Sequence, residues 1–577
     1  MKGPRVSRAA LSAAVFFLLL SCAGAPAPTS GSLAVPGTWT GSAVVMTRYG
    51  AVRAGDDADN TFLWKAIPYA KPPIGDLRWR APHDPDPWSG VRQAGSFNAG
   101  CTQFSPVFQG SIVGSEDCLY LNVWRPRDAQ DRLPVYVWIH GGGNSIGSAT
   151  MVSDYFGNRL AARSRMVFVS MNYRLGPFGW FTHPAFRDPA MPGADPLDAS
   201  GNYGTLDIIQ SLKWVRENIA AFGGDPGNVT ITGESAGGFN VLSLLISPPA
   251  AGLFQRAMSQ SGSASTRGVE EADATSRGVL EQLLVVSGKA HNREQAAIVA
   301  AAMNPEAIRT FLRSRTDRQI MQCYSRVSMA MIDNPSLIRD GTVLPLDGFD
   351  SLSTGEYPGK VPLILGTNKE ELKLFLALSG KPPWRSDLFA AVVKYGTDRW
   401  KVSGVDEVAR RASAHQDQPP VYAYQFSWGA PDAAGRSVMP GNWGRRLGAF
   451  HSLEIPFFLG TDTLEGVLQG LLFTRANQPG RKALSAAMMD YAAQFARTGN
   501  PNRPGSGLPE WKSWTNTPGA EKLMLLDASD SRATLSMSTI ELTDQGVLDA
   551  VSTDLAEPLR SQVMEALEKS AMSATVR

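Results

Sequence analysis

The stretch Val229-Thr230-Ile231-Thr232-Gly233-Glu234-Ser235-Ala236-Gly237-Gly238 constrains this chain more than any other. It opens with a β-branched run, which favours a strand, and Phe239 to Ser247 continues it as a mostly apolar segment of helical length. Between them lies Gly-x-Ser-x-Gly, in the strand–turn–helix context that a nucleophile elbow requires. A serine at the apex of so cramped a turn leaves no room for a Cβ two residues before or after it, so glycine stands at both places. The amide of Ala236 then begins a helix N-terminus, where the positive end of the dipole can meet a developing oxyanion. A second match, Gly143-Asn144-Ser145-Ile146-Gly147, shows that the pattern alone selects nothing. Ser145 follows a strand but has no helical pattern behind it. Ser235 has both flanks and is the candidate nucleophile.

A serine hydroxyl is a poor nucleophile until an oriented base takes its proton. The chain has six histidines. His140 belongs to a glycine run, and His83, His183, His291 and His415 sit in polar stretches with no glycine or strand-end context. That leaves His451, in Gly448-Ala449-Phe450-His451-Ser452-Leu453-Glu454, as the candidate base. The third member should be a carboxylate at the C-terminal end of a strand. Glu371 fits, just past the apolar run Val361 to Leu365. Glu370 is the rival one residue away, and a glutamate near a helix start can equally be a dipole-stabilised cap. Ser235, Glu371 and His451 follow the Ser…Glu…His order of the α/β-hydrolase fold. His140-Gly141-Gly142-Gly143 follows the strand Leu133 to Ile139 and offers backbone N–H groups unobstructed by side chains. With the Ala236 amide they would form a three-donor oxyanion hole; a flexible glycine turn is the alternative.

At 577 residues several domains would be the usual expectation. No internal repeat and no low-complexity linker follows residue 40, however, and the motifs of one site span most of the length. The reading is therefore a single α/β domain over 40–577 with helical insertions. Strands are expected at 43–53, 61–69, 119–124, 133–139, 166–172, 255–259, 361–365, 421–428 and 523–526. Helices are expected at 204–222, within 268–335, at 480–498 and at 554–573. Strands alternating with helices argue for a mostly parallel sheet covered on both faces. A net charge of +2 without a dense Lys/Arg run leaves no footprint for nucleic acid. No Cys/His spacing suggests a metal site, and no cofactor is implied.

The first residues read as a targeting segment. Lys2, Arg5 and Arg8 precede the apolar run Ala9 to Leu20, too short to span a bilayer. Leu19-Leu20-Ser21-Cys22 is similar to a bacterial lipobox, in which a lipidated Cys22 becomes the mature N-terminus. The alternative is ordinary cleavage near Ala23-Gly24-Ala25, which discards Cys22. Residues 1–22 are thus a signal peptide and 23–39 a tether, with a lipid anchor as the one membrane contact. The protein would be an exported envelope lipoprotein, or periplasmic or secreted. Export means an oxidising compartment, so Cys101 and Cys118 are expected to pair and close a surface loop. Such a loop adds about 3 kcal/mol in the chain-entropy account. Cys323 is left as a buried thiol.

Over roughly residues 40–530 the chain resembles the type-B carboxylesterase/lipase family, which includes the cholinesterases. Glu116-Asp117-Cys118-Leu119-Tyr120-Leu121-Asn122-Val123 is similar to one family signature and the elbow region to the other. Asn172-Tyr173-Arg174-Leu175-Gly176, Phe222-Gly223-Gly224-Asp225-Pro226, Asp340-Gly341 and the His451 loop are similar too. The resemblance implies an α/β-hydrolase fold and hydrolysis of small-molecule esters through an acyl-enzyme, with no cofactor. It makes Ser235 the nucleophile, Glu371 the acid and His451 the base, with Gly142, Gly143 and Ala236 as oxyanion donors. Cys101 and Cys118 match a disulfide at the rim of the gorge, and Glu234 and Ser261 match positions beside the triad. Two departures stand out: Leu372 and Ala66 each replace a usual glycine. The Cys101–Cys118 loop holds Phe104 and Phe108 but no Trp, whereas cholinesterases grip a quaternary ammonium on a tryptophan face there; choline esters are not expected. A lipase acting on longer-chain esters, and a non-catalytic adhesion protein on the same fold, are the alternatives. Oligomeric state is left open.

Overall fold

The computed structural model describes residues 33–34, 36–108, 110–128, 130–188, 195–379, 382–464 and 468–575. Cys22 and the whole proposed signal peptide lie outside them. The centre is a sheet of thirteen strands. These are β1 (Val44–Thr47), β2 (Gly50–Asp57), β3 (Thr61–Pro68), β4 (Val91–Ala94), β5 (Tyr120–Pro126), β6 (Leu133–Ile139) and β7 (Val167–Met171). Then follow β8 (Gly224–Glu234), β9 (Arg256–Gln260), β10 (Leu363–Asn368), β11 (Val421–Phe426), β12 (Leu523–Ala528) and β13 (Ala533–Ser538). The order across the sheet is β1-β2-β3-β5-β7-β6-β8-β9-β10-β11-β12-β13, with β4 beside β2. From β7 to β12 every neighbouring pair is parallel; the two flanks are antiparallel except for β4, which runs parallel to β2.

The parallel block is apolar on both faces, as a sheet with helices on each side must be. In β6, Val135, Val137 and Ile139 point to one core with Val169 and Ile231, while Tyr136 and Trp138 point to another. That alternation is the pleat of an extended strand. The first core is closed by Leu206, Ile209 and Leu212 of α1 (Tyr203–Asn218) and by Val241, Leu242 and Leu245 of α2 (Ala236–Ile246). On the opposite face α6 (Gln478–Thr498) lays Leu484, Met488 and Phe495 against Met258, Ile364 and Tyr422. Four further helices cover the edge: α4 (Leu372–Ser379), α5 (Asp387–Lys401) and the C-terminal pair α7 (Asp544–Asp554) and α8 (Leu559–Thr575). The insertion after β9 is helical as expected, led by α3 (Val269–Val286).

Several boundaries differ from the sequence reading. The expected strand over 43–53 is a hairpin, β1 and β2, because the Thr47 hydroxyl donates to the Gly50 carbonyl (2.7 Å) and turns the chain. The expected helix over 204–222 tightens to a 3₁₀ turn from Ile219 to Phe222. The C-terminal helix expected over 554–573 begins later, at Leu559 just past Pro558, and a separate helix, α7, precedes it. Ala66, one of the two departures, sits at a left-handed φ of 51° where β3 bulges against β5. Leu372, the other, packs in the cluster formed by α5, α7 and α8.

Candidate active site

Ser235 and Glu371 sit at the carboxyl ends of β8 and β10, parallel strands with β9 between them, and His451 lies on the loop that follows β11, on the side where open α/β sheets build their sites. Ser235 ends β8 and starts α2 with φ 57° and ψ −124°, the strained apex that an elbow needs. A Cβ on Gly233 would lie 2.6 Å from the Gly237 carbonyl carbon, and one on Gly237 would collide with the Ile139 carbonyl. Glycine at both flanks is thus a steric requirement. Ser145, the rival serine, is buried, starts no helix, and accepts from the Ile332 N–H (3.3 Å).

Beyond β10, Glu371 is fully buried and its Oε2 lies 2.6 Å from His451 Nδ1. Its other oxygen, Oε1, accepts from Ser261 Oγ (2.6 Å), Thr367 Oγ1 (2.8 Å) and the Asn368 N–H (2.6 Å). Glu370 points elsewhere: its Oε1 pairs with Lys373 (2.7 Å) and its Oε2 accepts from the Ala449 N–H (3.1 Å). Of the two glutamates, Glu371 is the one in contact with His451.

The second imidazole nitrogen, Nε2, lies 3.2 Å from Glu234 Oε1, on the residue just before Ser235. Ser452 Oγ donates to the same oxygen (2.5 Å). Both ring nitrogens therefore face carboxylates. Burial disfavours the imidazolium, yet Glu234 and then Glu371 outweigh it, and the His451 pKa is pushed up to about 9. Burial also raises Glu234, against the pull of His451. A fourth acid, Glu454, is fully buried beside the others; its Oε1 accepts from Ser261 Oγ (3.3 Å), and Asn368 Nδ2 donates to its Oε2. Burial, with Glu234 and Glu371 close by, lifts it to about 8. Sequence reasoning missed Glu454, although its place three residues after His451 was a usable signal.

The glycine run has the backbone that the oxyanion reading asks for. Gly142 and Gly143 take φ of 108° and 61°, a region that side chains disfavour. His140 ahead of them is buried and stacked on Tyr173 (centroids 4.4 Å apart), whose hydroxyl donates to the His140 carbonyl (2.7 Å). Burial holds its pKa down to about 4, so this ring is a neutral support for the loop. Cys101 and Cys118 are joined by a disulfide with Cα atoms 5.0 Å apart. Cys323 is a half-buried free thiol, pushed up to about 11 by burial. Among the described residues no group of three or more His, Cys, Asp or Glu could hold a metal, and no helix is long and apolar enough to cross a membrane.

An elbow serine on a mostly parallel sheet, with helices on both faces, defines an α/β-hydrolase. Comparison with known proteins narrows the class. The carboxylesterase family model matches residues 41–384 and 386–542. The para-nitrobenzyl esterase of Bacillus subtilis (strain 168) is 34% identical, over 82% of this chain and 93% of that one. The medium-chain fatty acyl-CoA hydrolase precursor of Anas platyrhynchos is also 34% identical, over 82% and 86%. Among solved structures, a Geobacillus stearothermophilus carboxylesterase is similar with TM-score 0.65 and 31% identity, over 86% of this chain and 98% of that one. The chain belongs to the carboxylesterase family and is a carboxylic ester hydrolase.

Proposed function

We propose that Ser235 is the nucleophile of a serine esterase that works through an acyl-enzyme. His451 takes the Ser235 proton as the hydroxyl attacks the ester carbonyl, and the amides of Gly142, Gly143 and Ala236 hold the oxyanion. His451 then passes the proton to the leaving alcohol, and water repeats the sequence to free the acid. Glu371 fixes the imidazole tautomer and stabilises the imidazolium. The observation that carries this reading is the 2.6 Å contact of Glu371 with His451 Nδ1, with Nε2 turned to the residue that adjoins the elbow serine. Labelling the folded protein with a fluorophosphonate and locating the adduct by peptide mass tests it; an adduct anywhere but Ser235 rejects it.

The reaction starts from neutral imidazole. His451 is protonated below its pKa of about 9, so kcat/KM on an uncharged ester should climb as pH rises to that value and then level. Glu234 is the strongest charge raising it, so Glu234→Gln should move the rise to lower pH. A pH profile centred at the ordinary imidazole value in both proteins would contradict this.

Export is also proposed, with Cys22 lipidated at the mature N-terminus. The Cys101–Cys118 disulfide supports the oxidising compartment. The mass of the mature protein from a bacterial host checks it: a diacylglyceryl-modified Cys22 is expected, and an unmodified start beyond Cys22 would refute it.

A further inference from the structure

Three half-buried aromatic rings adjoin the triad. Trp400, at the end of α5, has its ring centroid 5.0 Å from that of His451. Phe375, on α4, lies 5.1 Å from His451 and is stacked on Trp400 at 6.0 Å and 19°. Phe239, one helical turn beyond Ser235, lies 6.4 Å from Trp400. These rings keep part of their surface exposed, as Ser235 does, while Glu234, Glu371 and His451 are buried.

The Trp400 ring is fixed in place. Its indole N–H donates to the carbonyls of Ser261 and Gly262, both at 3.1 Å. On one side, Arg399 Nε donates to Asp544 Oδ1 of α7 (2.6 Å). On the other, Lys401 Nζ meets the buried Asp406 Oδ1 (2.6 Å), whose Oδ2 accepts from the Leu542 N–H (2.8 Å). Residues on both sides of Trp400 are thus tied to the C-terminal segment. That segment runs on past residue 542, where the family match ends.

We propose that Trp400 is a specificity-determining residue for the alcohol half of the ester, forming with Phe375 and Phe239 a wall that favours a planar ring there. The proposal rests on the reading of Ser235 and His451 as nucleophile and base. If His451 protonates the leaving group, the alcohol oxygen must lie within about 3 Å of its Nε2. A substituent one or two atoms farther out meets the rings packed on that imidazole. Offset or edge contact between aromatic rings adds to simple burial, and each such contact corresponds to roughly 2- to 12-fold in rate constant. A small alkyl alcohol makes no such contact and leaves the wall unused.

The test compares benzyl butyrate with ethyl butyrate, and ethyl benzoate with ethyl butyrate, in the full chain and in Trp400→Leu and Trp400→Phe. The benzyl-to-ethyl ratio of kcat/KM should fall about 10-fold in Trp400→Leu and stay within about 3-fold in Trp400→Phe. An unchanged benzyl-to-ethyl ratio overturns the proposal. So does a change confined to the benzoate ratio, which would put the wall on the acyl side. Equal loss on every ester with slowed labelling also overturns it, since Trp400 would then act only by supporting Ser261. Each of these leaves Ser235 as nucleophile standing, whereas a fully active Ser235→Ala would remove that reading instead.

Discussion

Ser235→Ala is expected to lower kcat on p-nitrophenyl butyrate by roughly 10⁶-fold, the size of loss seen when a triad serine is removed. A residue of catalysis should survive, because the amides of Gly142, Gly143 and Ala236 would still meet a carbonyl attacked by water. The control is Ser145→Ala. Its hydroxyl is buried and accepts from Ile332 N–H, so the change should cost about 1 kcal/mol of stability and leave turnover within a few-fold. Initial rates together with thermal unfolding measure both. A Ser145→Ala that loses turnover while Ser235→Ala keeps it would reverse the assignment.

Glu371→Gln should cost about 10⁴-fold in kcat, the loss expected when the third triad member keeps its shape but fixes the wrong tautomer. The hydrogen bonds say why. Oε1 accepts from the Asn368 N–H, Ser261 Oγ and Thr367 Oγ1, so the amide oxygen of a glutamine would take that position. Its NH₂ would then stand where Oε2 now faces His451 Nδ1. Nδ1 would have to accept, the proton would move to Nε2, and no lone pair would be left for the serine. The variant should fold, since it keeps the volume of a buried side chain. Circular dichroism with steady-state kinetics separates the two effects, and near-native turnover would show that Glu371 does not orient His451.

Where the sequence was legible, burial had made it so. All seven residues of β6 are buried, so its apolar run could be read to the residue. β13 was missed because Ala533–Ser538 is a short edge strand whose core face, Ala533, Leu535 and Met537, is only half buried and therefore weakly apolar in pattern. The short α7 was missed because Asp544–Asp554 buries only Val547 and Val551. At the site, glycines and chain order pointed to Ser235, Glu371 and His451 as candidates, because steric demand and turn chemistry leave marks in one dimension. Spacing could not separate Glu371 from Glu370, since the deciding contact comes from a residue 80 positions away. Trp400 left no trace for the same reason: its partners are carbonyls of Ser261 and Gly262 and rings from three other segments.

The candidate chemistry is gathered at the ends of β8 and β10 and on the loop after β11, within the parallel block, while β1 to β4 lie on the mainly antiparallel flank. That separation bears on how such a chain can diversify. The segments joining the parallel strands, above all the helical insertion 268–335, can lengthen, shorten or be exchanged over generations without disturbing the elbow. A lineage built this way can drift toward new esters while its bond-breaking apparatus is inherited intact.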